Sequence, residues 1–171
     1  STIQTKFPGQ PRVFGTRKGT LTYNLKQEAL AKSNKMIKKA VDDLIEIEKR
    51  TKGGTLIDRA KFNQYVMDSL RRDGRNIFAS QAVISVDTVS PALESVSGLS
   101  KYSVQMAINN KKPVYVFDKN YGIEGSWFEY NHNKKAFETM KTGEIPELRP
   151  ITAFFGKKAL SEVEKKALDK V

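Results

Sequence analysis

Residues 98–118 read GLSKYSVQMAINNKKPVYVFD, and the apolar period changes within them. Val104, Ala107 and Ile108, with Met106 beside them, recur at helical spacing. The polar run at 109–112 then breaks the pattern, and Pro113 forbids its continuation. Val114, Tyr115, Val116 and Phe117 follow without a polar interruption, a β-branched and aromatic run of the kind buried on both faces in a parallel sheet. Asp118 stands at the carboxyl end of that strand, the edge where open α/β sheets hold their ligands. Ser97, Gly98, Leu99 and Ser100 precede the helix, in the position of a loop that presents backbone N–H groups to an anion.

Working outward, a helix is predicted over about 25–50. Leu30, Ile37, Val41 and Leu44 form its apolar side, and Lys32, Lys35, Lys38, Lys39 and Asp42 take the other. The run TKGGT at 51–55 ends it, with Gly53 as C-cap. A second helix is predicted over about 58–72, burying Phe62, Tyr65, Val66 and Leu70 and stopping at Asp73-Gly74. A strand is expected at 82–86, an aromatic stretch at 126–131 and another helix at 133–141 closed by Gly143. A short apolar strand in ITAFFG and a closing amphipathic helix with Ser161 near its start complete the chain. Strands separated by helices argue an α/β sheet that is at least partly parallel. Residues 1–24, with five Pro and Gly residues, four basic residues and no acid, suit an extended or weakly ordered basic arm. Residues 25–171 are read as a single domain.

Composition narrows the function classes. Cysteine is absent, which removes disulfides, thiol nucleophiles and zinc–thiolate sites. A lone histidine, His132, removes any multi-histidine metal site, and within YNHNKK it reads as a solvated loop residue. No metal and no cofactor are expected. No apolar run reaches membrane-spanning length and no leader opens the chain, so it reads as a soluble cytoplasmic protein. Residues 1–80 carry seventeen Lys and Arg against eight Asp and Glu, whereas the rest carries thirteen against eleven. Charge concentrated in one half favours an anionic partner, with solubility alone as the competing explanation.

Two segments together, LRRDGRNIFASQAVISV at 70–86 and VSGLSKYSVQMAINNKKPVYVFD at 96–118, resemble a Rossmann-like family common in bacteriophage genomes. That family belongs to the nucleotide-binding SLOG superfamily, with the lonely-guy phosphoribohydrolases and the DNA-processing protein A family. Trp127, Phe128, Glu129, Tyr130 and Asn131 match a further element of the phage group. The resemblance implies a Rossmann-like three-layer fold with a mainly parallel sheet and a helical N-terminal part, whose glycine-rich loops hold a phosphate or ribose. It implies Arg72, Gly98, Ser100, Lys101, Gln105 and Asp118 as ligand-binding candidates. The family's GGTGY stands here as Gly98-Leu99-Ser100-Lys101-Tyr102, so two loop glycines are gone. Hydrolytic relatives place a glutamate one turn into this helix, where this chain has Gln105. A glutamine amide hydrogen-bonds but cannot serve as general acid or base near neutrality.

The leading expectation is a non-enzymatic, phage-type binding protein on a diverged SLOG scaffold. Its partner is a nucleotide-derived ligand, a nucleic acid or a host protein, in the host-cell cytoplasm, and homo-oligomers are compatible with it. The alternative is sequence-independent nucleic-acid binding through the basic half, with Lys35, Lys38, Lys39, Arg71 and Arg75 on the phosphates. An active nucleotide N-glycosidase is the third. The loop at 97–102 is expected to be collapsed, with Leu99 buried where a phosphate would sit. Tyr121, Trp127, Phe128 and Tyr130 are read as core rather than as a base-stacking platform.

Overall fold

The structure, a computed structural model, describes residues 21–51, 62–98, 100–156 and 159–171. Ser33–Val171 form one compact unit, and residues up to Lys32 form another, of which 21–32 are described as helix.

The unit from Ser33 onward is organised on β1 (Ala82–Val86), whose five residues are all buried. AVISV has no outward face because the strand has a neighbour on each edge and covered surfaces above and below. It pairs in parallel with β2 (Val114–Asp118) on one side and with β5 (Thr152–Gly156) on the other. β3 (Ser126–Asn131) runs antiparallel to β2, and β4 (Ala136–Thr139) antiparallel to β3, giving the order β4-β3-β2-β1-β5. The helices are α1 (Leu21–Thr51), α2 (Gln64–Ala79), α3 (Lys101–Asn109) and α4 (Glu162–Asp169).

Alternation along the strands sorts the core into two layers. Val83, Val114, Val116, Phe128 and Phe137 meet Ile37, Ala40 and Val41 of α1, Leu70 and Ile77 of α2, and Val104, Ala107 and Ile108 of α3. On the opposite face Ile84, Val86, Tyr115, Phe117 and Trp127 meet Ala167 and Leu168 of α4. Each such apolar side chain taken fully out of water contributes about 1.5–3 kcal/mol, which is why two adjacent, mainly apolar strands fix the middle of the sheet. The result is a Rossmann-like three-layer α/β fold with a helical N-terminal part, and the sheet's parallel strands lie at β2, β1 and β5. No helix among the described residues is long and apolar enough to cross a membrane.

The helix expected at 133–141 is a strand. Ala136, Phe137 and Met140 are spaced as on a helix face, but Phe137 enters the first core layer and Met140 packs on the second. The Asn131 side chain starts the turn by accepting hydrogen bonds from the N–H groups of Asn133 and Lys134, both at 3.0 Å. Lys135 then takes a left-handed φ of 54°, and the chain returns as β4 with Phe137 opposite Tyr130.

The second helix is also displaced from its expected range. It starts at Gln64, where the Asn63 side chain accepts from the Val66 N–H at 2.9 Å, and runs through Asp73-Gly74 to Ala79. Lys112 Nζ donates to the carbonyls of Ser80 and Phe78 at its end, satisfying acceptors that a helix C-terminus leaves free. Tyr65, expected in the core, is 78% exposed, because the register that buries Leu70 and Ile77 turns it outward. α4 follows expectation, with Ser161 and Glu164 forming a reciprocal capping box. The arm at 1–20 and the Gly53 cap lie outside the described residues.

Gly74 is buried against Met106 and Met36, and a Cβ there would stand 3.6 Å from Met106 Sδ and 3.7 Å from Met36 Cε. Those are ordinary contact distances, so the site has room for one methyl and no more. Gly74→Ala is expected to raise unfolding free energy by up to about 1 kcal/mol through helix propensity. Gly74→Leu is expected to lower it by about 1–3 kcal/mol through overpacking. Urea denaturation of the two variants checks both signs.

Candidate functional site

β1 and β2 end side by side, and α3 begins over the crevice between their carboxyl ends, the position at which α/β sheets hold ligands. A cavity of about 250 Å3 lies there, walled by residues that include Asp87, Thr88, Gly98, Ser100, Lys119 and Glu164.

An anion already faces the first turn of α3, and it belongs to the protein. Asp87, the residue after β1, places its carboxylate against the loop. Its Oδ2 accepts from the Ser100 N–H at 3.3 Å and from the Ser100 hydroxyl, while Oδ1 accepts from the Thr88 N–H at 2.7 Å. Ser100 is the N-cap of α3, yet its hydroxyl makes no capping bond, because its backbone (φ −85°, ψ 6°) is not in the extended conformation that aims a capping oxygen at the first turn; the hydroxyl donates to Asp87 instead. Ser85, buried in the middle of β1, completes the chain. Its Oγ lies 2.8 Å from Ser100 Oγ and acts as donor, since the Ser100 proton is engaged. A negative charge at a helix N-terminus is favourable, and here a side chain supplies it.

Gly98 is required by the same contact. A Cβ on it would lie 2.6 Å from Asp87 Cγ, inside any real contact distance. Gly98 therefore admits the carboxylate, where in a working phosphate loop a glycine admits the ligand. Among the described residues Asp87, Glu164 and Lys119 are the charged groups of the cavity wall, and the Asp87 carboxylate already takes the Ser100 donors that a phosphate would use. Among the described residues no cluster of His, Asp and Glu is arranged to hold a metal ion.

The ligand-binding candidates are distributed as follows. Gly98 and Ser100 line the cavity. Asp118 is buried and accepts from the N–H groups of Val89 at 3.0 Å and Asn120 at 2.9 Å, pinning the loops after β1 and β2. Lys101 lies over the Tyr102 ring, 5.5 Å from its centroid, and is not in the cavity wall. Gln105 is buried and bonds to Asn109 at the far end of α3. Arg72 is exposed on α2, away from the cavity wall. Leu99 lies outside the described residues.

Of the basic candidates, Lys35, Lys38 and Arg75 are exposed, and Lys39 pairs with Asp43 at 3.1 Å. Arg71 is held between Asn34 at 2.8 Å and Asp68 at 3.0 Å, tying α2 to α1. Trp127, Phe128 and Tyr130 are core, while Tyr121 is 49% exposed. His132 is half-buried rather than solvated, with Nε2 at 2.7 Å from the Lys112 carbonyl oxygen. Sequence reasoning missed Asp87, Ser85 and Lys119. The signal for Asp87 was its placement, an aspartate directly after a buried strand, much as Asp118 is the last residue of β2.

The chain matches no protein-family model, no curated protein and no solved structure.

The contact between Gly98 and Asp87 is testable by a double-mutant cycle. Gly98→Ala is expected to cost about 1–3 kcal/mol of stability in the native background, because the carboxylate must move. In an Asp87→Ala background the same substitution is expected to cost at least about 0.5 kcal/mol less. Equal costs, measured by chemical denaturation of the four proteins, would show that something other than Asp87 constrains Gly98.

Proposed function

We propose that this chain is a binding protein on a diverged nucleotide-binding scaffold of the bacteriophage SLOG type. On this reading it works in the host-cell cytoplasm and engages a nucleotide-derived ligand without turning it over. The observation that carries the reading is the cavity of about 250 Å3 at the carboxyl ends of β1 and β2 in an α/β sheet, and the Asp87 carboxylate at the head of α3 supports its divergence from a phosphate-holding loop. Supporting it, the position of the family's catalytic glutamate holds Gln105, buried and bonded to Asn109. An amide so placed can orient a ligand but cannot carry a proton between two states near neutrality. The purified protein is therefore expected to release no base from nucleoside monophosphates above the level of a Gln105→Ala control, as followed by chromatography of the products. Turnover clearly above that control sinks the reading in favour of a nucleotide N-glycosidase.

A second reading has its own observation. Lys35, Lys38 and Arg75 are exposed and belong to no ion pair among the described residues, so they are available to a nucleic-acid backbone. In this case binding is sequence-independent and falls steeply with salt. Reversing the three together, Lys35→Glu, Lys38→Glu and Arg75→Glu, is expected to abolish a low-salt gel shift of duplex DNA. Each lost phosphate contact should flatten the logarithmic salt dependence by about 0.9. An unchanged shift returns the basic charge to solubility. Arg71 is left out because its removal would loosen α1 from α2.

A further inference from the structure

A second cavity, of about 370 Å3, opens at the other end of α3. That helix, residues of α1 between 39 and 50, and the β3–β4 turn wall it. Its size lies within the range of about 300–1,000 Å3 usual for small-molecule sites. Four buried side-chain polar atoms lack a hydrogen-bond partner among the described residues. Three of them, Gln105 Oε1, Asn109 Nδ2 and His132 Nδ1, belong to residues of this one wall. Folded interiors pair nearly all such atoms, so their concentration here points to a missing partner.

The chemistry of that partner can be read from the wall. Gln105 Nε2 donates to Asn109 Oδ1 at 3.1 Å. Whichever way round the two amides stand, the pair is left with one donor and one acceptor. His132 Nε2 lies 2.7 Å from the Lys112 carbonyl oxygen, which only accepts, so Nε2 is the donor, and the tautomer this selects leaves Nδ1 as an acceptor. The wall thus asks for two donors and one acceptor. Tyr130 stands edge to face with His132 at 5.0 Å, adding aromatic surface against which a planar ring can lie.

The rim adds charge. Arg50 is engaged by Glu94 at 2.7 Å and Lys39 by Asp43 at 3.1 Å. Lys111 and Lys135 belong to no ion pair among the described residues, and both hold left-handed backbones, with φ of 56° and 54°. Glu46 is the carboxylate of the wall outside those pairs, which leaves the rim net positive.

We propose that this cavity binds a purine nucleotide through a guanine-type edge, with its phosphate against Lys111 and Lys135. Guanine presents two donors, N1–H and the N2 amine, beside one acceptor, O6. Uracil presents the reverse, one donor and two acceptors, and leaves the wall mispaired. The inference rests on the nucleotide-binding reading above and locates it away from the head of α3, where Asp87 stands.

Calorimetric titration of the full chain with guanosine monophosphate and uridine monophosphate tests it. The guanine nucleotide is expected to bind at least about tenfold more tightly, since mispaired buried groups are costly. Gln105→Met, close in shape, is expected to weaken it by about tenfold or more. Lys111→Glu with Lys135→Glu, both on exposed turns and so tolerant for folding, is expected to weaken guanosine monophosphate similarly while leaving guanosine within about twofold. Guanosine monophosphate binding untouched by both changes, or a preference for the uridine nucleotide, overturns this site and leaves the nucleotide-binding reading standing. No binding of either nucleotide up to millimolar concentration overturns this site, and the nucleotide-binding reading falls with it only if adenosine and cytidine monophosphates also fail to bind.

Discussion

The Asp87 carboxylate at the first turn of α3 is the contact on which the upper edge of the sheet depends. It holds Ser100 by two bonds, draws Ser85 into line behind it and fixes how near Gly98 must come. Asp118 does the corresponding work one strand away, accepting from Val89 and Asn120. Two aspartates thus end two adjacent parallel strands and satisfy the amides of the loops that leave them. A carboxylate attached to the chain has no association entropy to lose, so a free anion competing for the same groups starts at a disadvantage of several kcal/mol.

The parts of this arrangement that the sequence exposes are those whose environment is uniform. β1 and β2 are legible because both faces are covered, and only Ser85 and the terminal Asp118 interrupt their apolar residues. α4 is legible because a serine three residues before a glutamate is a local capping signal. β4 is not, since Ala136, Phe137 and Met140 share a helical spacing and only the tertiary fold sends Phe137 and Met140 to opposite layers. Gly74 reads as a stop, whereas its lack of a side chain lets α2 approach Met106 and Met36. The site divides the same way. Gly98 and Ser100 stand out as a loop, but Asp87 lies thirteen residues before Ser100, and nothing local links the two.

Placement also changes the meaning of the basic half. Arg71 and Lys39 read as free charge in sequence, and each has a carboxylate within ion-pair distance in the fold. Exposed pairs of this sort contribute little to stability, typically about 0–1 kcal/mol. Their effect is to shape the field, leaving exposed basic side chains such as Lys35, Lys38 and Arg75 in its outward-facing part.

The position of β5 has a consequence for how the chain is made. β1 is completed on one edge by β2, about thirty residues downstream, but on the other by residues 152–156, some seventy residues later. While the chain emerges from the ribosome in order, the most buried strand of the sheet spends that interval with one row of N–H and C=O groups unpaired. An open apolar edge of this kind is a template for another chain's strand. The interval after β2 has folded and before β5 arrives is therefore the stage of synthesis most exposed to misassembly, and a chaperone that shields strand edges would act there.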